Sequence, residues 1–206
     1  VAADNVSTSN TQPLKTLRQI KQYEKRNGSD ISSLVAKGAL YYNANDYPKS
    51  KYYFEKAAAE KYSTQILTCL LKVHNSMDGL GDMRAHFKMA EAVLANDAVF
   101  WQLYGYLEYD LKNFNEAAEM FFKAKDLGFN LADLNAQFLA GSLHNAGRTE
   151  DVFAVASQAV KDGVLDAKVM DFFVSSAVEL SNFQDAYEFF ETTSFDWRSV
   201  AKMNAL

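Results

Sequence analysis

Cysteine, proline and long apolar runs are nearly absent from this chain, and each absence removes a class of protein. A single cysteine, Cys69, rules out an intramolecular disulfide. Lying within Ile66-Leu67-Thr68-Cys69-Leu70-Leu71, it reads as a small buried hydrophobe and not as a reactive thiol. No stretch approaches the roughly 20 apolar residues that a membrane-spanning helix needs, and no basic-then-apolar leader is present. Catalytic signatures are missing too. The three histidines, His74, His86 and His144, stand in no HExxH spacing and beside no cysteine cluster, so local sequence gives no support for a metal site. Gly79-Leu80-Gly81 lacks the third glycine, preceding strand and lysine of a phosphate loop, and the serines lie outside any G-x-S-x-G context. The expectation is a protein that is not an enzyme and has no cofactor. The only dense basic run, Lys15, Arg18, Lys21, Lys25 and Arg26, points in several directions at helical spacing. It reads as a solvated helix face, and nucleic acid is not an expected partner.

What the chain does have is a pattern of thirty-odd residues. Leu34-x3-Gly38-x2-Tyr41-x5-Tyr47-x2-Ser50-x3-Phe54-x2-Ala57 returns as Trp101-x3-Gly105-x8-Phe114-x2-Ala117-x3-Phe121-x2-Ala124. A turn position between paired helices can be followed through Tyr47, Met83, Phe114, Thr149 and Phe183, at steps of 36, 31, 35 and 34 residues, so five units fit. Just before it stand Asn45-Asp46, Gly81-Asp82, Lys112-Asn113, Gly147-Arg148 and Ser181-Asn182. Most of these are small polar residues or glycine, which tolerate the backbone of a tight helix-to-helix turn. Glycine inside a helix costs about 1 kcal/mol against alanine. Small residues at Gly38, Gly105 and Ala140 therefore point to close helix approach, with Phe54, Phe121 and Phe190 filling the space beside them. A unit of this length cannot bury its apolar face alone, so stacked helical hairpins are expected.

At these residues the chain resembles the tetratricopeptide repeat family, whose unit is a helix-turn-helix of about 34 residues. The resemblance is closest over 31–64 and 98–131, looser over 133–193 and loosest over 65–97. In that second unit Gly81-Asp82-Met83 and Ala85-x3-Met89-x2-Ala92 set two competing registers, so an insertion in its turn is expected. The family's proline at the end of the second helix is missing, since Pro13 and Pro48 lie elsewhere. The resemblance implies an all-α fold, a right-handed α-solenoid of stacked repeats. Residues 1–13 are expected as a flexible tail, 14–30 as a leading helix that caps the array or is a partial repeat, 31–194 as about five repeats, and 195–206 as a terminal helix or the start of a further unit. Such an array has no internal boundary, so one elongated domain is expected. Its charge is uneven: residues 1–103 hold 13 basic and 10 acidic side chains, and residues 104–206 hold 8 and 16, giving +3 and −8.

In that family the first helix of each hairpin lines the concave side. Laid on this chain, the contact positions are Ser32, Val35, Ala39, Tyr42 and Asn43 in the first unit; Val99, Gln102, Tyr106, Tyr109 and Asp110 in the third; Leu134, Gln137, Gly141, His144 and Asn145 in the fourth; and Lys168, Asp171, Ser175, Val178 and Glu179 in the fifth. Members that clamp an acidic chaperone tail use Lys and Asn at two places in the first unit where this chain has Val35 and Ala39, so the clamp is absent from that unit and a chaperone tail is not an expected partner. The candidate contact residues are Tyr42, Asn43, Gln102, Tyr106, Tyr109, Gln137, His144, Asn145 and Asp171. Tyrosines, amides and small residues suit a peptide or partner-protein segment, because tyrosine gives rigid contact area and a hydroxyl. The expected function is a non-catalytic protein–protein interaction scaffold. A groove that holds a polysaccharide or other polar ligand is the alternative, and an enzyme whose site is dispersed in sequence is the third and least favoured reading. The Ser/Thr/Asn-rich start, with Val in place of Met, suggests a processed or excised chain of the bacterial envelope or periplasm, with the cytoplasm as the other compartment.

Overall fold

The computed structural model describes residues 16–77, 79–132, 134–164, 166–184 and 187–188. Among the described residues every regular element is a helix. The chain divides into two compact units, Val1–His86 and Phe87–Leu206. The first holds α1 (Leu17–Asn27), α2 (Ile31–Asn43), α3 (Tyr47–Glu60), α4 (Thr64–Asn75), a single 3-10 turn at Leu80–Asp82, and the start of α5 (Met83–Leu94). The second holds the rest of α5, then α6 (Ala98–Asp110), α7 (Phe114–Asp126), α8 (Ala136–Asn145), α9 (Thr149–Lys161) and α10 (Ala167–Glu179). Pro13, Leu14, Phe190 and Trp197, with the expected tail and terminal helix, lie outside the described residues.

Helices α3, α5, α7 and α9 begin at Tyr47, Met83, Phe114 and Thr149, the turn positions that the spacing predicts. A recurring backbone step sets them. Asn45, Lys112, Gly147 and Ser181 all have φ between 56° and 73°, and the amide after each reaches back to the preceding helix: Asp46 N donates to Tyr41 O, Asn113 N to Glu108 O, Arg148 N to Leu143 O and Asn182 N to Ala177 O, at 2.8–2.9 Å. This left-handed cap satisfies the orphan carbonyls of the first helix and reverses the chain within three residues. The connection from α4 to α5 departs from it. It runs from residue 76 to 82 and contains the 3-10 turn, which is the insertion expected in the second unit.

Starts of four first helices are fixed by side-chain caps, while α8 has none. Asp30, Ser63, Asp97 and Asp166 accept hydrogen bonds from the opening amides of α2, α4, α6 and α10. Helix pairing then follows the glycines. A Cβ built on Gly38 would stand 2.6–2.8 Å from the Phe54 ring, and one on Gly105 would stand 2.7–2.9 Å from the Phe121 ring. Each ring thus packs against bare backbone of the partner helix, and both phenylalanines are buried. Ser50, also buried, donates to the Gly38 carbonyl at 2.8 Å, a second use of the same close approach.

Helix α1 is tied to the first hairpin by polar groups as well as by buried Ile20. Arg18, Lys21, Lys25 and Arg26 are exposed, as a solvated basic face should be. Tyr23 donates to Asp30 at 2.6 Å, and Lys37 lies 2.6 Å from Glu24. Burial pushes the Asp30 carboxyl up, but the hydrogen bonds from Tyr23 and Ser33 outweigh it and hold the group below its ordinary value. The Lys37 ammonium holds Glu24 low against its own partial burial, with the Ser33 and Ser29 hydroxyls assisting. Both groups bind protons more weakly folded than unfolded. Their contribution is complete above the unfolded values, about 3.9 and 4.3, and is lost as pH falls below them. Amide protection in α1 and the first turn of α2 is therefore expected to fall between about pH 5 and pH 2. Hydrogen exchange measured against the intrinsic rate checks this, and protection flat across that range would contradict it.

Candidate functional site

Within each unit neighbouring first helices touch, α2 with α4 in the first, and α6 with α8 and α8 with α10 in the second. In the second unit this places α6, α8 and α10 side by side. Gln102, Tyr106 and Tyr109 are half-buried on α6, three or four residues apart and so on neighbouring helix positions. Gln102 Nε2 donates to Tyr106 Oη at 3.5 Å. Both tyrosines meet Phe138 of α8 edge to face, with ring centroids 5.0 and 5.1 Å away, while their other edges reach Phe121 and Phe114. Burial pushes the Tyr106 hydroxyl above its ordinary value, with the Gln102 bond opposing, so it stays protonated at neutral pH. The tyrosines therefore do two jobs: each packs on a neighbouring helix and each keeps part of its surface open.

On α8, Gln137 is half-buried, whereas His144 and Asn145 are exposed. Asn145 donates to the Gly141 carbonyl at 2.7 Å, and the His144 ring sits 5.4 Å from Phe172 of α10. Asp171 is exposed on α10. Ser32, Ala39, Val99, Asp110, Lys168, Val178 and Glu179 are exposed, and Val35 and Ser175 are partly so. In the first unit, Tyr42 is half-buried against Tyr47 at 5.6 Å and Asn43 is exposed. Two implied positions fail. Leu134 is fully buried and precedes α8, which starts two residues later, at Ala136. Gly141 is buried because Tyr109 and Phe172 close over it. Phe138 and Phe172 are the residues that sequence reasoning misses: half-buried, they join Tyr106, Tyr109 and His144 into an aromatic row across three helices. Their spacing of 34 residues, each 11 before a turn position, is the signal that marks them.

A second constellation lies in the first unit, where nothing in the local spacing points to it. Glu55 of α3, His74 of α4 and His86 of α5 each offer a donor atom, and these atoms lie within 4.8 Å of one another. His74 is buried, its Nδ1 lies 3.0 Å from the Gly79 carbonyl oxygen, and its Nε2 has no hydrogen-bond partner. His86 Nδ1 meets the Tyr62 hydroxyl at 3.1 Å, and its Nε2 is 3.8 Å from Glu55 Oε1. Burial holds the His86 imidazole below its ordinary value, against the opposing pull of Glu55. Cys69 is half-buried, and burial pushes its thiol up, which leaves it protonated and slow to react.

No protein-family model and no curated protein sequence matches the chain. Solved structures do. A mutant of MamA superposes with a TM-score of 0.59 at 14% identity, over 78% of this chain and 94% of that one. A thermophilic TPR protein of Thermus thermophilus gives 0.53 at 15% identity, over 78% and 88%. A tetratricopeptide repeat protein from Parabacteroides merdae gives 0.51 at 12%, over 90% and 73%. The fold is that of the tetratricopeptide repeats. Within it, α2, α4, α6, α8 and α10 are the first helices of their hairpins, and the aromatic row stands on three of them. No helix among the described residues is long and apolar enough to cross a membrane.

Proposed function

We propose that this chain is a non-catalytic interaction scaffold that holds a peptide or partner-protein segment against the α6–α8–α10 face. The carrying observation is the row of partly open rings, Tyr106, Tyr109, Phe138 and Phe172, flanked by exposed His144, Asn145 and Asp171. Rigid aromatics on regular helices supply contact area with little entropy to lose, and the adjoining amide, imidazole and carboxylate can pair with backbone groups of an extended chain. Trp101 takes no part in such a surface. It is 4% exposed, under the Lys123 ammonium at 3.8 Å and against Phe100, so it offers no stacking platform for a sugar. The proposed setting is a larger bacterial envelope assembly of the pilus, secretion or polysaccharide-export kind, suggested by the composition of the amino-terminal residues.

Replacing both Tyr106 and Tyr109 with alanine is expected to weaken partner binding by roughly 2 kcal/mol or more. Because both rings also pack on Phe138, a companion variant carries His144→Ala and Asp171→Ala, which remove exposed groups only. Pull-downs from the native host with the three baits, alongside melting temperatures, test the reading. Identical partner lists from all three would move the binding surface elsewhere, and a tyrosine defect that tracks lost stability while the exposed pair has none would make the tyrosines structural.

A further inference from the structure

The unpartnered nitrogen of His74 is the anomaly in the first unit. A buried polar atom left without a partner keeps an uncompensated desolvation cost, and buried polar side chains generally find one. The tautomer follows from the neighbour: a carbonyl oxygen only accepts, so His74 Nδ1 carries the proton that it gives to Gly79. Nε2 is then a bare lone pair in a buried place. His86 is arranged alike, with Nδ1 held by a hydroxyl and Nε2 facing the Glu55 carboxylate. Burial holds that second imidazole below its ordinary value, and when the Tyr62 hydroxyl oxygen accepts from Nδ1 the neutral ring presents its lone pair at Nε2. Two imidazoles whose far nitrogens are fixed by a carbonyl and a hydroxyl, together with a carboxylate, reproduce the way metal-binding histidines are oriented.

We propose that Glu55, His74 and His86 bind one divalent transition-metal ion, zinc being the type case, through a carboxylate oxygen and the two Nε2 atoms. Tetrahedral zinc with bonds of about 2.0–2.2 Å sets donor atoms about 3.4 Å apart. The observed separations, up to 4.8 Å, close to that value with movements of about 1 Å per side chain. Glu55 has the freedom for it, since its side chain is 39% exposed. It also gives the ion a way in. Lys51 stands 3.7 Å from Glu55 but also 3.8 Å from Asp82. As the ion arrives, the ammonium can pass wholly to Asp82. A mixed nitrogen and oxygen donor set favours zinc and its transition-metal neighbours over magnesium or calcium, which take oxygen alone. Three protein ligands leave a fourth position for water or for a donor on a bound partner. The ion would tie α3, α4 and the first turn of α5 together, across the turn within a hairpin that, among those described, lacks the left-handed step.

Equilibrium dialysis of untagged, chelator-stripped protein against zinc should give one ion per chain, with a melting temperature that rises as free zinc rises. Glu55→Gln keeps size and changes an exposed group, so it should fold normally and bind at least about tenfold more weakly. His86→Gln should lose the ion, and Tyr62→Phe, which alters only the orientation of His86, should weaken binding by about tenfold or more. His144→Gln and Cys69→Ser should leave stoichiometry and affinity unchanged. Failure to bind zinc at micromolar free concentration overturns the proposal, as does unchanged affinity in either Glu55→Gln or His86→Gln.

Discussion

Phe121→Ala is expected to lower the stability of the second unit by about 3 to 5 kcal/mol in chemical or thermal unfolding. The ring is fully buried on α7 and lies on the backbone of α6 at Gly105, with Tyr106 meeting it edge-on at 5.3 Å. Removing it takes away the burial and leaves a hole. One wall of that hole is helix backbone with no side chain to swing inward, so relaxation is limited and the cost belongs at the upper end of the range for phenylalanine. His144→Ala makes the contrast. Its side chain is exposed, and its loss should stay within about 0.5 kcal/mol. If His144→Ala unfolded the protein while Phe121→Ala did not, the repeat register itself would be wrong.

Gly105→Ala should cost about 3 kcal/mol, although helix propensity alone would make alanine better by about 1 kcal/mol. The added methyl would sit 2.7–2.9 Å from three atoms of the Phe121 ring, which is stiff and closed in on every side. Either the ring leaves its rotamer or α6 and α7 move apart. The opposition of sign makes the measurement decisive, because a neutral or stabilising result would mean that the two helices are not in this contact. In a Phe121→Ala background the same methyl enters the vacated space. The double-mutant cycle should therefore show a coupling of at least about 2 kcal/mol. Gly141→Ala gives the internal standard: its Cβ would meet Tyr109 and Phe172 at 3.5–3.7 Å, ordinary contact, so it should lie within about 1 kcal/mol of the parent chain.

The hairpin register is readable in the sequence because its determinants are local. Gly38 with Phe54 and Gly105 with Phe121 are each 16 residues apart, the distance from mid-helix to mid-helix across a short turn. Any chain with that spacing and a three-residue turn brings the pair together, so pattern alone suffices. Positions after a long connection slip. Leu134 lies within the connection 127–135, whose last residue, Asn135, has φ 55°, and α8 starts later than a fixed repeat would place it. Between-helix geometry is less visible still. Glu55, His74 and His86 come from three helices, and only the packing of those helices decides that their donor atoms converge. Phe138 and Phe172 share this property in milder form: their repeat spacing is readable, but whether an aromatic at that place points outward or inward depends on how closely α8 stands to α6 and α10.

The left-handed turn residue has a consequence for kinship. Asparagine, lysine, glycine and serine each occupy that one backbone step, so four turns in a single polypeptide share a conformation while sharing no residue type at it. A trait kept at the level of dihedral angle and spacing erodes quickly as text. Proteins of common descent with this one are then best sought by superposition and by the interval between small and aromatic residues, and a lineage built on letter-by-letter likeness would break long before the architecture did.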